Sequence, residues 1–239
     1  MQLSVHPLAV PARTAFPPGT AFPPRAAACW TLLVLSLLSW LPLCGCEGKD
    51  AQAIRAMLVD YDRANNTRNG VLAKDCVTRA SDEQYELVRR HALYSDEKTV
   101  RALNPYVKQY VLMTRHRGQA DQLAVLTGED FLVWTTNQGW YAGEESNWEG
   151  AFGSIKVRGQ VATAPILEDG KPTGGTATFL LEDGKWRVDE PSLVAALDRR
   201  LFLAAREEGE SIDDYLIALE EESSGREVPD SVWQPMVGR

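Results

Sequence analysis

Apolar positions recur at three- and four-residue spacing after Asp50, where Ile54, Met57, Leu58 and Tyr61 form one stripe. This spacing predicts an amphipathic helix, with Asp50 as its cap. The stripe stops at the polar cluster Asn65-Asn66-Thr67-Arg68-Asn69-Gly70, which reads as a turn although Asn65-Asn66-Thr67 also fits a glycosylation acceptor. A second helix is expected from Ser81-Asp82-Glu83-Gln84, a capping-box pattern, with Tyr85, Val88 and Ala92 facing inward. Val100, Leu103, Val107, Tyr110, Val111 and Thr114 continue the pattern, and Asn104-Pro105 predicts a kink or a restart. Thr127-Gly128-Glu129-Asp130 opens a shorter helix carrying Phe131, Leu132 and Trp134, which ends near Asn137-Gln138-Gly139.

Beyond Trp148 the period changes from helical to alternating. Residues 154–158 and 160–166 flank Arg158-Gly159, and residues 176–182 and 185–189 flank Asp183-Gly184, the strongest hairpin signal in the chain. That register turns Phe179, Leu181, Trp186 and Val188 toward the helices. Gly170-Lys171-Pro172-Thr173-Gly174-Gly175 has the composition of a phosphate loop but lies between strands and lacks the glycine spacing, so it reads as a flexible hairpin loop. A helix then starts at Pro191, with Leu193, Ala196, Leu197, Leu201 and Ala204 on one side. Ser211 caps a last helix carrying Tyr215, Leu216 and Leu219, and the tail keeps Val232, Trp233 and Met236 to dock with. Helices, then an antiparallel meander, then more helices define an α+β fold.

The N-terminal end follows a different pattern. Residues 1–25 are proline-rich without periodicity and read as a disordered extension, or as a start codon placed too far upstream. Residues 26–45 hold an apolar run from Trp30 to Leu43 after Arg25, the order of a secretory signal peptide. The run ends in Leu43-Cys44-Gly45-Cys46, which resembles the bacterial lipoprotein box; the resemblance implies cleavage after Gly45 and a diacylglycerol on Cys46. An uncleaved anchor is the competing reading, disfavoured by Pro42 and by a core shorter than the roughly 20 residues a span needs. Either way the folded part is expected outside the cytoplasm, in the cell envelope. Residues 46–49 form a lipidated tether, 50–190 the α+β domain and 191–239 its C-terminal helices and tail.

Composition narrows the chemistry. The chain has 239 residues and a net charge of −8, which deepens to −10 once the first 45 residues, holding only Arg13 and Arg25 as charges, are set aside. An acidic domain of this size disfavours nucleic acid as a partner and is large enough to bury a core without disulfides or metals. Cys76 remains alone after export and lipidation and reads as a small buried hydrophobe. His91 and His116 stand on different helices without metal-ligand spacing, so neither a metal nor a cofactor is expected. Arg115-His116-Arg117 closes a helix, where positive charge suits the dipole; an anion site is the sharper reading.

The final hairpin, Phe179-Leu180-Leu181-Glu182-Asp183-Gly184-Lys185-Trp186-Arg187-Val188-Asp189, preceded by helices, resembles the nuclear transport factor 2-like (SnoaL-like) cone. With Arg115-His116-Arg117 and Gly139-Trp140 it is similar to planctomycete-type envelope lipoproteins of that fold. The resemblance implies a curved sheet wrapping a helix, and in enzymes of the isomerase and dehydratase types an acid or histidine working with an aromatic hydroxyl inside the cone. Tyr61, Asp62, Tyr110, Asp130 and His91 are the available pieces, but none sits in a catalytic motif. Trp140, Tyr141 and Trp148, set among glycines and acids, suit the mouth of a pocket or a partner site, with Trp134 and Tyr61 as further contacts. The expectation is a lipid-anchored, non-catalytic binder of a small apolar ligand or another envelope protein; the alternative is a cone-fold enzyme.

Overall fold

The computed structural model describes residues 48–140 and 150–238. The fold is α+β: nine α-helices among the described residues and a four-stranded antiparallel sheet in the order β1-β2-β3-β4. Helix α1 (Lys49–Asn66) buries Ile54, Met57, Leu58 and Tyr61 as the spacing requires. Its cap is Gly48, so Asp50 falls in the first turn, where its Oδ1 accepts from Trp186 Nε1 at 3.1 Å. The polar cluster after it is only partly a turn. Asn69 caps a short helix α2 (Gly70–Cys76) by accepting from the Leu72 amide, and a Cβ at Gly70 would stand 2.2 Å from the Val133 carbonyl oxygen. Such close approach admits only glycine there.

Helix α3 (Arg79–Tyr94) starts three residues earlier than expected. Thr78 is its cap, and the Ser81 hydroxyl, buried within the first turn, instead accepts the Glu190 amide at 3.2 Å. Tyr85, Val88 and Ala92 are buried as anticipated. The next run restarts at the proline: α4 (Glu97–Arg101) ends, Asn104 caps α5 (Pro105–Arg117) by accepting from the Val107 amide, and Pro105 occupies the first turn. A short α6 (Ala120–Ala124) is followed by α7 (Gly128–Asn137), opened by a reciprocal capping box between Thr127 and Asp130.

Strands β1 (Lys156–Arg158), β2 (Val161–Glu168), β3 (Lys171–Glu182) and β4 (Lys185–Asp189) form a meander. Gly174 and Gly175 lie within β3, so the expected loop at 170–175 is a strand, and the turn tightens to Asp169-Gly170, both with positive φ. The irregular register between Pro165 and Leu167 accommodates a proline that has no N–H for the ladder. Asp183 and Gly184, at φ 52° and 78°, make the last turn and set Phe179 opposite Val188 and Leu181 opposite Trp186. Phe179, Trp186 and Val188 are buried; β4 packs against α1 and α2.

A 3-10 turn (Glu190–Leu193) links β4 to α8 (Val194–Glu208), which Gly209 ends in a left-handed cap. Of the α8 side chains only Ala205 is buried, while Leu197 and Leu201 are half-covered and Phe202 and Leu203 are exposed. Ser211 caps α9 (Ile212–Ser224), with Leu216 buried. The tail docks: Val232, Trp233 and Met236 enter the core, and the Met236 and Val237 amides reach the Ala92 and Leu93 carbonyls at the end of α3. No helix among the described residues is long and apolar enough to cross a membrane, and the apolar run at 30–43 with Cys46 lies outside them.

Candidate functional site

Glu190 is the residue that the folded chain singles out. It directly follows β4, at the next inward step of the alternation after Trp186 and Val188, and only 4% of its surface is exposed. Three helices bring phenols to it. Tyr61 of α1 donates to Glu190 Oε1, and Tyr85 of α3 acts as a further donor. From α5, Tyr106 and Tyr110 lie with ring centroids 4.7 Å apart, hydrogen-bond each other, and have proton affinities that the Glu190 charge helps to raise. Glu190 Oε2 has no hydrogen-bond partner among the described residues, and no basic side chain pairs with it.

Burial is the first cause of its electrostatics. Desolvation pushes the Glu190 carboxyl up to about 7 against the two phenol donors that lower it, and the negative charges of Asp82 and Asp189 push the same way as burial. Burial likewise drives the Tyr61, Tyr106 and Tyr110 hydroxyls above the ordinary phenol range, so they stay protonated donors. A carboxyl poised near neutrality beside protonated phenols can take or give a proton. Access is the constraint: the crevice between Gln84, Tyr85, Val88, Tyr106 and Tyr110 has no room for a water molecule. A second hollow, about 500 Å³, is an open depression over the tail beside Ser231, Gln234 and Pro235.

The other candidates fall elsewhere. Tyr110 and Tyr61 belong to the Glu190 cluster. Asp130 serves the α7 cap, and its hydrogen bonds from Thr127 hold its carboxyl low. His91 Nδ1 lies 2.8 Å from Ser95 Oγ; desolvation, then the Arg115 and Arg90 charges, lowers its proton affinity. Asp62 stands next to Tyr61 on α1 with one buried carboxylate oxygen, away from any motif. Trp134 and Trp140 meet edge to face with centroids 4.8 Å apart, and the Trp140 amide bonds the Thr135 carbonyl, so this pair folds back on α7. Tyr61 stands apart from that pair, on α1. Tyr141 and Trp148 lie outside the described residues.

The basic triplet is taken up by the chain's own acceptors, five carbonyls and one carboxylate. Arg115 is buried and donates to the His91, Ala92 and Ser95 carbonyls of the α3 end and to the Val232 and Trp233 carbonyls of the tail. Arg117 grips both oxygens of Glu220 at 2.8 and 2.6 Å, and His116 Nδ1 lies 2.6 Å from Glu220 Oε1. Cys76 is buried, and desolvation pushes its thiol up to about 12, which leaves it inert. Among the described residues no group of three or more histidine, cysteine or acidic side chains is placed to hold a metal ion.

Sequence reasoning missed Glu190, although a signal for it existed. The alternation that turns Trp186 and Val188 inward reaches Glu190 at the next step, and Pro191 then ends the strand. Comparison with models of known families, with curated proteins and with solved structures gave no match.

Proposed function

We propose that the chain is a lipid-anchored protein of the cell envelope, with its α+β domain outside the cytoplasm in the manner of a nuclear transport factor 2-like cone, and that it works by binding and not by catalysis. The observation that carries the binding reading is the occupied interior: rings and aliphatic side chains pack around Glu190 and leave no space for a water between Tyr85, Tyr106 and Tyr110. A filled interior favours contact through the surface, and hence another envelope protein over an enclosed apolar ligand. Leu43-Cys44-Gly45-Cys46 after the apolar run supports the anchor. A diacylglyceryl group gives retention that a single acyl chain does not.

Intact mass of the membrane-extracted protein tests the anchor. The expected chain begins at lipidated Cys46, and Cys46→Ser abolishes the modification; an unmodified N-terminus upstream of Trp30 would contradict the proposal. One observation favours a second reading, an enzyme of isomerase or dehydratase type: the buried Glu190 carboxyl accepting from Tyr61. Isomerisation of a β,γ-unsaturated ketone, followed by ultraviolet absorbance, separates the two. Turnover that disappears in Glu190→Gln supports the enzyme, and no turnover above the Glu190→Gln background supports the binder.

A further inference from the structure

The corner where β4 becomes α8 is held by polar groups around one buried carboxyl. The Glu190 amide donates to Ser81 Oγ of α3, and Tyr61 of α1 donates to its side chain. Next to it, Thr78 Oγ1 donates to Asp189 Oδ1 at 3.0 Å, and the Thr178 amide of β3 donates to Ser192 Oγ at 3.0 Å. Asp198, one turn into α8, accepts the Tyr106 amide at 2.8 Å. Helix α8 buries only Ala205, with Leu197 and Leu201 half-covered, and it rests on α5, α9 and β3 as well as on this corner.

The groups facing Glu190 cannot neutralise it. They are Tyr61 from α1, Asp82 and Tyr85 from α3, and Tyr106 and Tyr110 from α5. The corner adds Asp189; Asp198 of α8, tied to the cluster through the Tyr106 amide, is a half-buried acid whose proton affinity desolvation also raises. From β3 the Thr178 amide meets the corner at Ser192 and brings no charge. A glutamine would occupy the same space without a charge to bury. An ionised carboxylate there has phenol donors but no cation, and Oε2 remains without a partner, so ionisation favours any movement that brings the corner to water.

We propose that Glu190 is a pH-operated latch: protonated, it holds the β4–α8 corner against α1 and α3, and ionised, it loosens residues 189–208 while the rest of the fold stays closed. The device biases a local opening, a lower-energy event than global unfolding. Its sign follows from linkage. Proton affinity is higher in the closed form than in the opened one, so closure is fully favoured in acid and weakens as pH rises through about 7.

Hydrogen exchange on the detergent-extracted protein, with peptide-level readout and correction for the intrinsic pH dependence of exchange, tests this. Amides of residues 189–208 should lose roughly thirtyfold in protection between pH 5.5 and pH 8.5, from a carboxyl displaced between 4.5 and about 7. Amides of α5 should hold theirs, and Glu190→Gln should keep the corner protected at both pH values. Equal loss in the wild type and Glu190→Gln, or full protection of the wild type at pH 8.5, overturns the latch. Should Glu190→Gln not fold, Tyr61→Phe serves: it removes a donor to the carboxylate and must shift the loss to higher pH. An unmoved midpoint in that variant also overturns the proposal.

Discussion

Glu220 and Glu190 are buried to nearly the same degree, 5% and 4% exposed, yet the chain treats them in opposite ways. Glu220, on α9, receives both arms of Arg117 and the ring of His116 from α5, with side chains 14% and 6% exposed. The positive end of that contact is already at a helix C-terminus, where the dipole favours it. Glu190 receives phenols, and the charges acting on it are the acids Asp82 and Asp189. Depth therefore does not decide what a buried acid does; its partners do. The first acid is a fixed clamp between α5 and α9. The second carries a charge state that the fold leaves open.

Trp186 is 6% exposed, and its side chain belongs to the inward row that ends in Glu190, so Trp186→Ala should cost about 3–5 kcal/mol through the cavity it leaves. Denaturant midpoints check this against Lys185→Ala, whose ion pair with Asp75 is exposed and whose loss should change little. Comparable midpoints for the two would mean that the register of the last hairpin, and the inward position of Glu190 with it, is wrong.

Glu220→Gln comes next. It leaves the half-buried Arg117 without its carboxylate, and removing one partner of such a pair costs about 3 kcal/mol. Urea denaturation at pH 8 reads this loss. Glu190→Gln should have the smaller effect and the opposite sign. At pH 8 it removes the need to bury a charge and should stabilise by about 1–3 kcal/mol, a gain that shrinks as pH falls through about 7 and is gone below 4.5, where the wild-type carboxyl is protonated in both states. Destabilisation at pH 8 equal to that of Glu220→Gln would erase the distinction between the two acids.

Much of the fold could be read from local chemistry. Asp183-Gly184 sets the last hairpin, Asn104-Pro105 restarts a helix, Thr127 with Asp130 opens another, and Val232, Trp233 and Met236 dock the tail; each signal lies within a few neighbouring residues. The misreadings come from long-range partners. Helix α2 forms in a stretch that reads as turn because Gly70 packs on Val133 and its amide reaches Asn137 Oδ1. Ser81 surrenders the capping role to Thr78 because Glu190, 109 residues away, takes its hydroxyl. The Glu190 cluster is invisible to any local window for the same reason: its phenols come from α1, α3 and α5, and only the alternation along β4 carries a trace of it.

The most direct test is the titration of Glu190 in the folded wild-type protein, followed by the side-chain carboxyl carbon shift in a glutamate-labelled sample and assigned by its absence in Glu190→Gln. A midpoint of about 7 is expected, with a matching pH dependence of the Tyr61 resonances. A Glu190 midpoint near the ordinary 4.5, with Tyr61 unaffected by pH, would show that its charge is accommodated without cost and would contradict the latch.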